Sequence, residues 1–344
     1  MLCLLGPTAS GKTDLAIAFS DLLAERLGRS QPVALISVDS AMVYRGMDIG
    51  TAKPGPDILT RYPHALIDLR DPAEPFTVAD FVHLAEVEID RALAAGQLPV
   101  LVGGTMLYFN ALRSGLADIP SVPESVRKAL EAEWDVRGGE ALHQELAAVD
   151  PVAAKRIHPR NPQRLLRALE VWRYHGRPLS WYWAEQQQQA LPRKRGWRWL
   201  EIGLMPEWTG LRSRIEHRFD AMLAAGLVAE VQALHARPDL NPNLPAIRAV
   251  GYRQVWNYLD GRCSYQDMRE QAIKATVSLA RRQRTWMRRW PELTQIPAAS
   301  DKSEEQLLSS RILNYLEAVA IVASAHNKGP AASGPAPVIR ASEE

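Results

Sequence analysis

Gly6-Pro7-Thr8-Ala9-Ser10-Gly11-Lys12-Thr13 stands between the apolar run Leu2-Cys3-Leu4-Leu5 and a stretch, Lys12 to Leu27, whose apolar residues recur at helical spacing. The octapeptide fits the phosphate-loop pattern G-x-x-x-x-G-K-[ST], in the strand, loop, helix setting that the pattern needs. Its glycines let successive backbone N–H groups turn inward. The helix N-terminus behind them adds partial positive charge, and Lys12 adds a full one. Gly6 to Thr13 are therefore the expected residues for binding a diphosphate or triphosphate, with the Thr13 hydroxyl as ligand of a Mg²⁺ ion. A glycine-rich turn without a ligand is the competing reading, and the flanking strand and helix weigh against it. The loop recognises a run of phosphates and not the molecule that carries them.

Outward from this loop, apolar runs at Val33 to Val38, Ala65 to Leu69 and Pro99 to Val102 predict further short strands, with a helix over Thr77 to Ala95. The alternation predicts an α/β fold, a phosphate-loop doubly wound parallel sheet, in which ligands bind beyond the carboxyl ends of the strands. From about Pro120 the strand signal gives way to helices, clearest at Ser125 to Trp134, Gly139 to Ala148 and Asn161 to Tyr174. One strand, Trp199 to Leu204, then returns, followed by helices over Thr209 to Ala225, Tyr252 to Leu259 and Ser264 to Trp290. The expected organisation is a core of residues 1–119 and 199–322 that closes around an inserted helical domain, 120–198. Residues 323–344 are small, Pro-rich and aperiodic, and are expected to form a disordered tail. No internal repeat is evident.

A chain of 344 residues has room for two domains. Hydrophobic content of 47% and charged content of 23% exclude a wholly disordered chain. No apolar run approaches the ~20 residues that cross a bilayer, and the apolar start is too short for a secretory signal, so a cytoplasmic protein is expected. Cys3 and Cys263 are too few and too far apart for a disulfide framework or a zinc site, and read as buried, inert thiols. The net charge of +2 suggests no polyanionic partner by itself. Its distribution does: residues 151–200 hold eleven Lys and Arg against two acids, a local +9, which leaves −7 for the remainder. A basic module beside an acidic body is what a nucleic acid would require.

Asp39 and Ser40 follow the run Val33 to Val38, so they project from the carboxyl end of a strand toward the phosphate loop. That is a place for a general base or a metal ligand, although an Asp there is often only a turn or cap residue. The long polar segment from Asp39 to Pro54, with interleaved apolar side chains, has to be held by a partner or a ligand. Gly103-Gly104-Thr105 ends the next strand where phosphate-loop hydrolases place an acidic metal ligand. No acid follows Val102, which weakens an ATPase reading and leaves Thr105 as a hydroxyl aimed at the same pocket. Close packing would also explain the two glycines. Farther on, Arg156, Arg160, Arg164, Arg167, Arg173 and Arg177 interleave with Trp172, Tyr174, Trp181, Tyr182 and Trp183. Cations bind phosphates and aromatic faces stack bases, a pairing suited to single-stranded or loop RNA. A merely solvated arginine face is the alternative. A second segment, Lys274 to Trp290, argues against it with six basic residues and no acid in 17 positions.

Five separate stretches, in order, resemble the bacterial tRNA dimethylallyltransferase (tRNA isopentenyltransferase) family over residues 1 to about 297. They are Gly6 to Thr13, the Asp39 to Pro54 segment with its ending Met47 to Pro54, Gly103 to Tyr108, Asn161-Pro162-Gln163-Arg164, and Arg248-Ala249-Val250-Gly251-Tyr252-Arg253. The resemblance implies that Gly6 to Thr13 grip the diphosphate of dimethylallyl diphosphate, with Mg²⁺ and without nucleotide hydrolysis. It implies Asp39 as the base on the N6 amine of the adenosine at tRNA position 37, in tRNAs reading codons that begin with U. Thr105 would hydrogen-bond the bridging oxygen of the leaving diphosphate, and Arg218, on the stretch Arg212 to Arg218, would add positive charge there. The tRNA contacts it implies are Asp39, Ser40, Ala41, Met42, Thr105, Arg127, Gln163, Arg164, Leu165, Leu166, Arg167, Arg248, Ala249, Val250, Gly251, Tyr252 and Arg253. The inserted domain would clamp the anticodon stem and loop, and a monomer is expected.

Three features depart from the family pattern. Members usually carry several residues before the first strand, whereas here the strand begins at the initiator Met, which puts the assignment of the start codon and that strand's stability in question. Many carry Gln where Met42 stands. The zinc finger of eukaryotic relatives has no counterpart. Two rival functions share the phosphate loop: a nucleoside or small-molecule kinase with Asp39 as base, which leaves the aromatic, basic insertion unexplained, and an RNA-binding regulator switched by nucleotide.

Overall fold

The structure, a computed structural model, describes residues 1–117, 119–186, 196–299 and 301–326. The chain divides into two compact units, Met1–Phe109 with the chain from Arg198 onward, and Asn110–Trp197. The expected entry into the insertion at residue 120 lies ten residues beyond this division.

The first unit is built on a six-stranded parallel sheet, order β3-β2-β4-β1-β5-β6. Its strands are β1 (Leu2–Leu5), β2 (Val33–Val38), β3 (His64–Ala65), β4 (Leu98–Gly103), β5 (Leu200–Leu204) and β6 (Thr294–Ile296). Register runs Leu2↔Val100 to Leu5↔Gly103 between β1 and β4, and Val33↔Leu98 to Val38↔Gly103 between β2 and β4. The carboxyl ends of β1, β2 and β4 therefore finish side by side. Because side chains alternate across a strand, Leu2, Leu4, Leu35, Val100, Val102, Ile202 and Leu204 share one face. They are buried there with Leu15 and Phe19 of α1 (Lys12–Leu27) and Leu308 and Ile312 of α13 (Lys302–His326). On the other side α3 (Val78–Ala94) packs against β2 and β4, burying Phe81, Ala85 and Ile89. Strands covered on both faces read as continuous apolar runs, which is why they stand out in the sequence.

Local chemistry sets the helix ends. Thr77 caps α3 reciprocally with Asp80, a capping box. Gly28, left-handed at φ 59°, ends α1 by donating to the carbonyls of Ala24 and Glu25. A second apolar cluster joins α9 (Trp208–Ala224), α10 (Leu227–His235), α11 (Tyr252–Leu259) and α12 (Tyr265–Arg288) to Val43, Tyr44 and Met47. Each fully buried large side chain contributes about 2 kcal/mol.

Several expectations need correction. Of the third run, Ala65 to Leu69, only Ala65 pairs as strand, together with His64 before it, because Leu66 and Asp68 take left-handed φ of 65° and 54°. Helices α2 (Pro56–Arg61), α4 (Met106–Ser114), α10 and α13 and the edge strand β6 are not among the elements that the sequence predicts. Cys3 is buried, but Cys263 is only half-buried. Helix α13 runs through His326, so residues 323–326 are helical, and the remainder of the expected tail lies outside the described residues.

The second unit contains α5 (Glu124–Val149), α6 (Pro151–Arg156), α7 (Pro162–His175) and α8 (Leu179–Gln186). Gly138, at φ 73° and ψ 167°, breaks α5 between the two helices that the sequence separates. Buried Asp150 accepts from the N–H groups of Ala153 and Ser180, capping α6 and tying down the start of α8. Leu130, Leu142, Leu146, Leu165, Leu166 and Leu169 form the core.

Candidate active site

The phosphate loop leaves β1 with its backbone folded around the helix start. Ala9 at φ 61° and Gly11 at φ 78° are left-handed, the conformation that turns N–H groups to one side. At Gly6 a Cβ would lie 2.4 Å from the buried Ser10 Oγ, so that hydroxyl would have to move for any larger residue. Burial pulls the Lys12 ammonium down to about 8, helped by Arg218 and opposed by Asp39 and Asp14. Burial also lowers Arg218, against the pull of the same two carboxylates. Two cations held this close in a poorly solvated site make it a strong place for an anion.

Asp39 follows β2 and Thr105 follows β4. The neighbouring strands bring them together. The Thr105 N–H extends the ladder by donating to the Val38 carbonyl at 3.2 Å, and Thr105 Oγ1 accepts from the Ser40 N–H at 3.1 Å. Asp39 does serve as the turn residue that simple capping would suggest, but with one oxygen: Oδ1 accepts from the N–H groups of Ala41 and Met42 at 2.8 and 3.2 Å. Its Oδ2 takes no hydrogen bond among the described residues, which leaves it able to accept a proton.

The long segment after Asp39 is held by the chain itself. Lys53 Nζ donates to the Tyr44 carbonyl and pairs with Asp48 and Asp68. Glu230 accepts from the N–H groups of Asp48, Ile49 and Gly50 at 3.0, 2.8 and 3.2 Å, and from the Tyr252 hydroxyl. Gly50 has no room for a side chain, since a Cβ would lie 2.5 Å from the Tyr252 ring.

Thr8, Lys12, Asp39, Thr105 and Arg218 border one cavity of about 530 Å³ within the first unit. Ile215, Phe219, Met222 and Leu279 give it an apolar wall, and Leu107 and Trp286, both exposed, stand among its bordering residues. Ser40, Ala41, Met42, Arg248, Ala249, Val250, Gly251 and Tyr252 also border it, as do Arg282, from the basic segment Lys274 to Trp290, and Gln283, which charge and motif reading passed over. Of the remaining loop residues, Gly6, Pro7, Ala9, Ser10, Gly11 and Thr13 shape the cradle without bordering this cavity. Arg253 is exposed on α11 and does not border it either. Tyr252 is buried with its hydroxyl committed to Glu230, so its expected contact to RNA is corrected to a role in the wall.

In the second unit, Gln163 and Arg164 are exposed on the first turn of α7. Leu165 and Leu166, expected with them among RNA contacts, are buried in the core, where helical periodicity places them, and their side chains serve packing. Arg167 donates to buried Glu170 at 2.6 Å, and Arg127 Nε lies 3.6 Å from the same carboxylate. Arg173 is spent on Glu133 and Glu145. Arg177 covers the Trp181 ring at 4.5 Å and Arg156 the Trp183 ring at 5.4 Å. The basic residues at 193–195 lie outside the described residues.

No group of three or more His, Cys, Asp or Glu placed to hold a metal occurs among the described residues. A Mg²⁺ ion that takes phosphate oxygens and water, with one protein hydroxyl such as that of Thr13, needs no such group.

Comparison with known proteins places this arrangement among relatives. Residues 42–290 match the family model described as IPP transferase. A tRNA dimethylallyltransferase 2 from Hahella chejuensis is 50% identical over 328 residues, spanning 90% of this chain and 95% of its own length. The crystal structure of a tRNA isopentenylpyrophosphate transferase from Bacillus halodurans is 35% identical, with a TM-score of 0.65 and coverage of 94% of this chain and 98% of that one. A eukaryotic dimethylallyltransferase acting on tRNA shares the fold at a TM-score of 0.75 and 22% identity, covering 98% of this chain and 82% of that one.

Proposed function

The chain belongs to the IPP transferase family and is a transferase that prenylates tRNA, and we propose that its donor is dimethylallyl diphosphate. The acceptor is the N6 amine of adenosine 37 in tRNAs that read codons beginning with U, and diphosphate is released. One observation carries this reading: an anion cradle, a carboxylate with one uncommitted oxygen, a hydroxyl and an apolar wall meet in a single cavity. The kinase and nucleotide-switch readings are not favoured, because relatives at 50% identity over nine-tenths of the chain bear the transferase name.

The diphosphate sits in the Gly6 to Thr13 loop against Lys12 and Arg218, and the five-carbon chain lies along Ile215, Phe219, Met222 and Leu279. The Thr13 hydroxyl would hold Mg²⁺, which would supply further charge neutralisation at the phosphates. Adenosine 37 leaves its stack to enter, at a cost of a few kcal/mol that is smaller in a loop than in a duplex. Its exocyclic amine is a weak nucleophile because the lone pair is delocalised into the ring. Asp39 Oδ2 accepts the amine proton as the N–C bond forms. The allylic carbon gains cationic character as its C–O bond stretches, and Thr105, Lys12 and Arg218 stabilise the departing oxygens. Arg127, Gln163, Arg164 and Arg167 supply cationic and polar contacts to the anticodon stem and loop. No described helix is long and apolar enough to cross a membrane.

Labelled dimethylallyl diphosphate, incubated with Mg²⁺, no ATP and a tRNA bearing adenosines at positions 36 to 38, tests the reading. Label on N6 of adenosine 37 is expected. Bound tRNA without label, together with ATP consumed on an added nucleoside, would replace the transferase by the kinase.

A further inference from the structure

Gln283 lies on α12 inside the stretch Lys274 to Trp290, which the sequence marks only as basic. Its side-chain amide makes two hydrogen bonds of opposite sense. Oε1 accepts from the Thr8 N–H at 3.0 Å, and Nε2 donates to the Gly104 carbonyl at 2.8 Å. The first partner is in the phosphate loop and the second immediately precedes Thr105.

The position of this bridge matters because the sheet stops just before it. β1 and β4 stay in register as far as Leu5 and Gly103, and one more bond joins the Gly6 N–H to the Gly103 carbonyl. Beyond that the two chains part, one into the phosphate loop and the other into α4, and the ladder no longer fixes their separation. Gln283 spans the gap from a third element. Gly104 is shaped to receive it, since a Cβ there would lie 2.6 Å from Gln283 Nε2 and 3.1 Å from the Gly6 carbonyl oxygen. The chemistry is specific as well. A neutral amide offers a donor and an acceptor in one plane, whereas Lys or Arg could not accept from Thr8 and a carboxylate could not donate to Gly104.

We propose that Gln283 is a positioning residue for prenyl transfer, a strut that sets the distance between the diphosphate cradle and the Thr105 hydroxyl. The inference rests on the prenyl-transfer reading above. In its ground state the donor is held by the loop, Arg218 and the apolar wall, without a demand on Thr105. As the C–O bond stretches, loop and Thr105 must act on the same diphosphate together, so a shift of one against the other harms the transition state more than the ground state. Losing the strut therefore lowers kcat and leaves the donor KM nearly unchanged.

Gln283→Met keeps the side-chain length and removes both hydrogen bonds. Gln283→Asn keeps both groups one methylene short of the span, and serves if the methionine variant does not fold. Single-turnover transfer from dimethylallyl diphosphate to a tRNA anticodon stem-loop, on active-site-titrated protein, is compared among wild type, Gln283→Met, Thr105→Ala and the double variant. The expected result is a loss of about a hundredfold in Gln283→Met, with donor and tRNA KM within about threefold. In the Thr105→Ala background the same substitution should cost far less, because the strut acts through Thr105. Full activity in Gln283→Met, losses that multiply independently, or a loss confined to tRNA KM would overturn the role, the last by making Gln283 an RNA contact. Absence of transfer by the wild type would remove the prenyl-transfer reading itself, and this role with it.

Discussion

An ammonium brought down to about 8, as that of Lys12 is by burial and by Arg218, loses its proton in mildly alkaline solution. Anion binding favours the charged form, so affinity for inorganic diphosphate should be full below that pH and fall as pH rises through it. The Lys12→Met variant shares the titration of the diphosphate but lacks this dependence. Calorimetry at a series of pH values, read as the ratio of wild type to Lys12→Met, checks the sign; a flat ratio would mean that Lys12 does not titrate against the ligand. At the same scale, Lys12, Asp39 and Thr105 are legible in the sequence because each sits at a fixed place in a motif or at a strand end. Glu230 and Gln283 are not. A carboxylate that gathers three N–H groups some 180 residues away, or an amide that bridges two loops, leaves no local pattern. Glu230→Ala would strand those donors and the Tyr252 hydroxyl, costing roughly 2 to 4 kcal/mol, measurable by urea unfolding.

Among the elements, the buried strands announce themselves through unbroken apolar runs, and α1 and α3 through periodicity and caps. The third strand does not survive as expected because two of its residues, Leu66 and Asp68, have left-handed backbone that their side chains do not announce. Helix α7 shows how one stretch of motif divides by face: Gln163 and Arg164 look outward and Leu165 and Leu166 inward. Its arginines divide too. Arg173 holds Glu133 well below the usual carboxylate range, down to about 2, chiefly through a side-chain hydrogen bond. A depressed carboxylate contributes stability that is present above its unfolded pKa of about 4.3 and is lost as pH falls toward the folded value. Arg173→Ala should therefore flatten the acid loss of stability, followed by urea midpoints between about pH 6 and pH 2.5, while changing tRNA affinity within about twofold. Arg164→Ala, with an exposed guanidinium, should instead weaken tRNA binding and leave stability within about 0.5 kcal/mol.

For the whole molecule, a net charge of +2 conceals a basic segment, and binding to tRNA should follow the local charge. The logarithm of the association constant should fall linearly with the logarithm of salt concentration, and Arg164→Ala should lessen the slope by about one phosphate contact. A flat salt response would detach the basic segments from RNA. The central claim concerns the cavity in which Asp39, Thr105, Lys12 and Arg218 meet. Its most direct test is the single-turnover rate of prenyl transfer by Asp39→Ala at saturating donor and tRNA. The account predicts a fall of about 10² to 10⁴-fold with tRNA affinity within a few fold of wild type; a variant that transferred at the wild-type rate would contradict it.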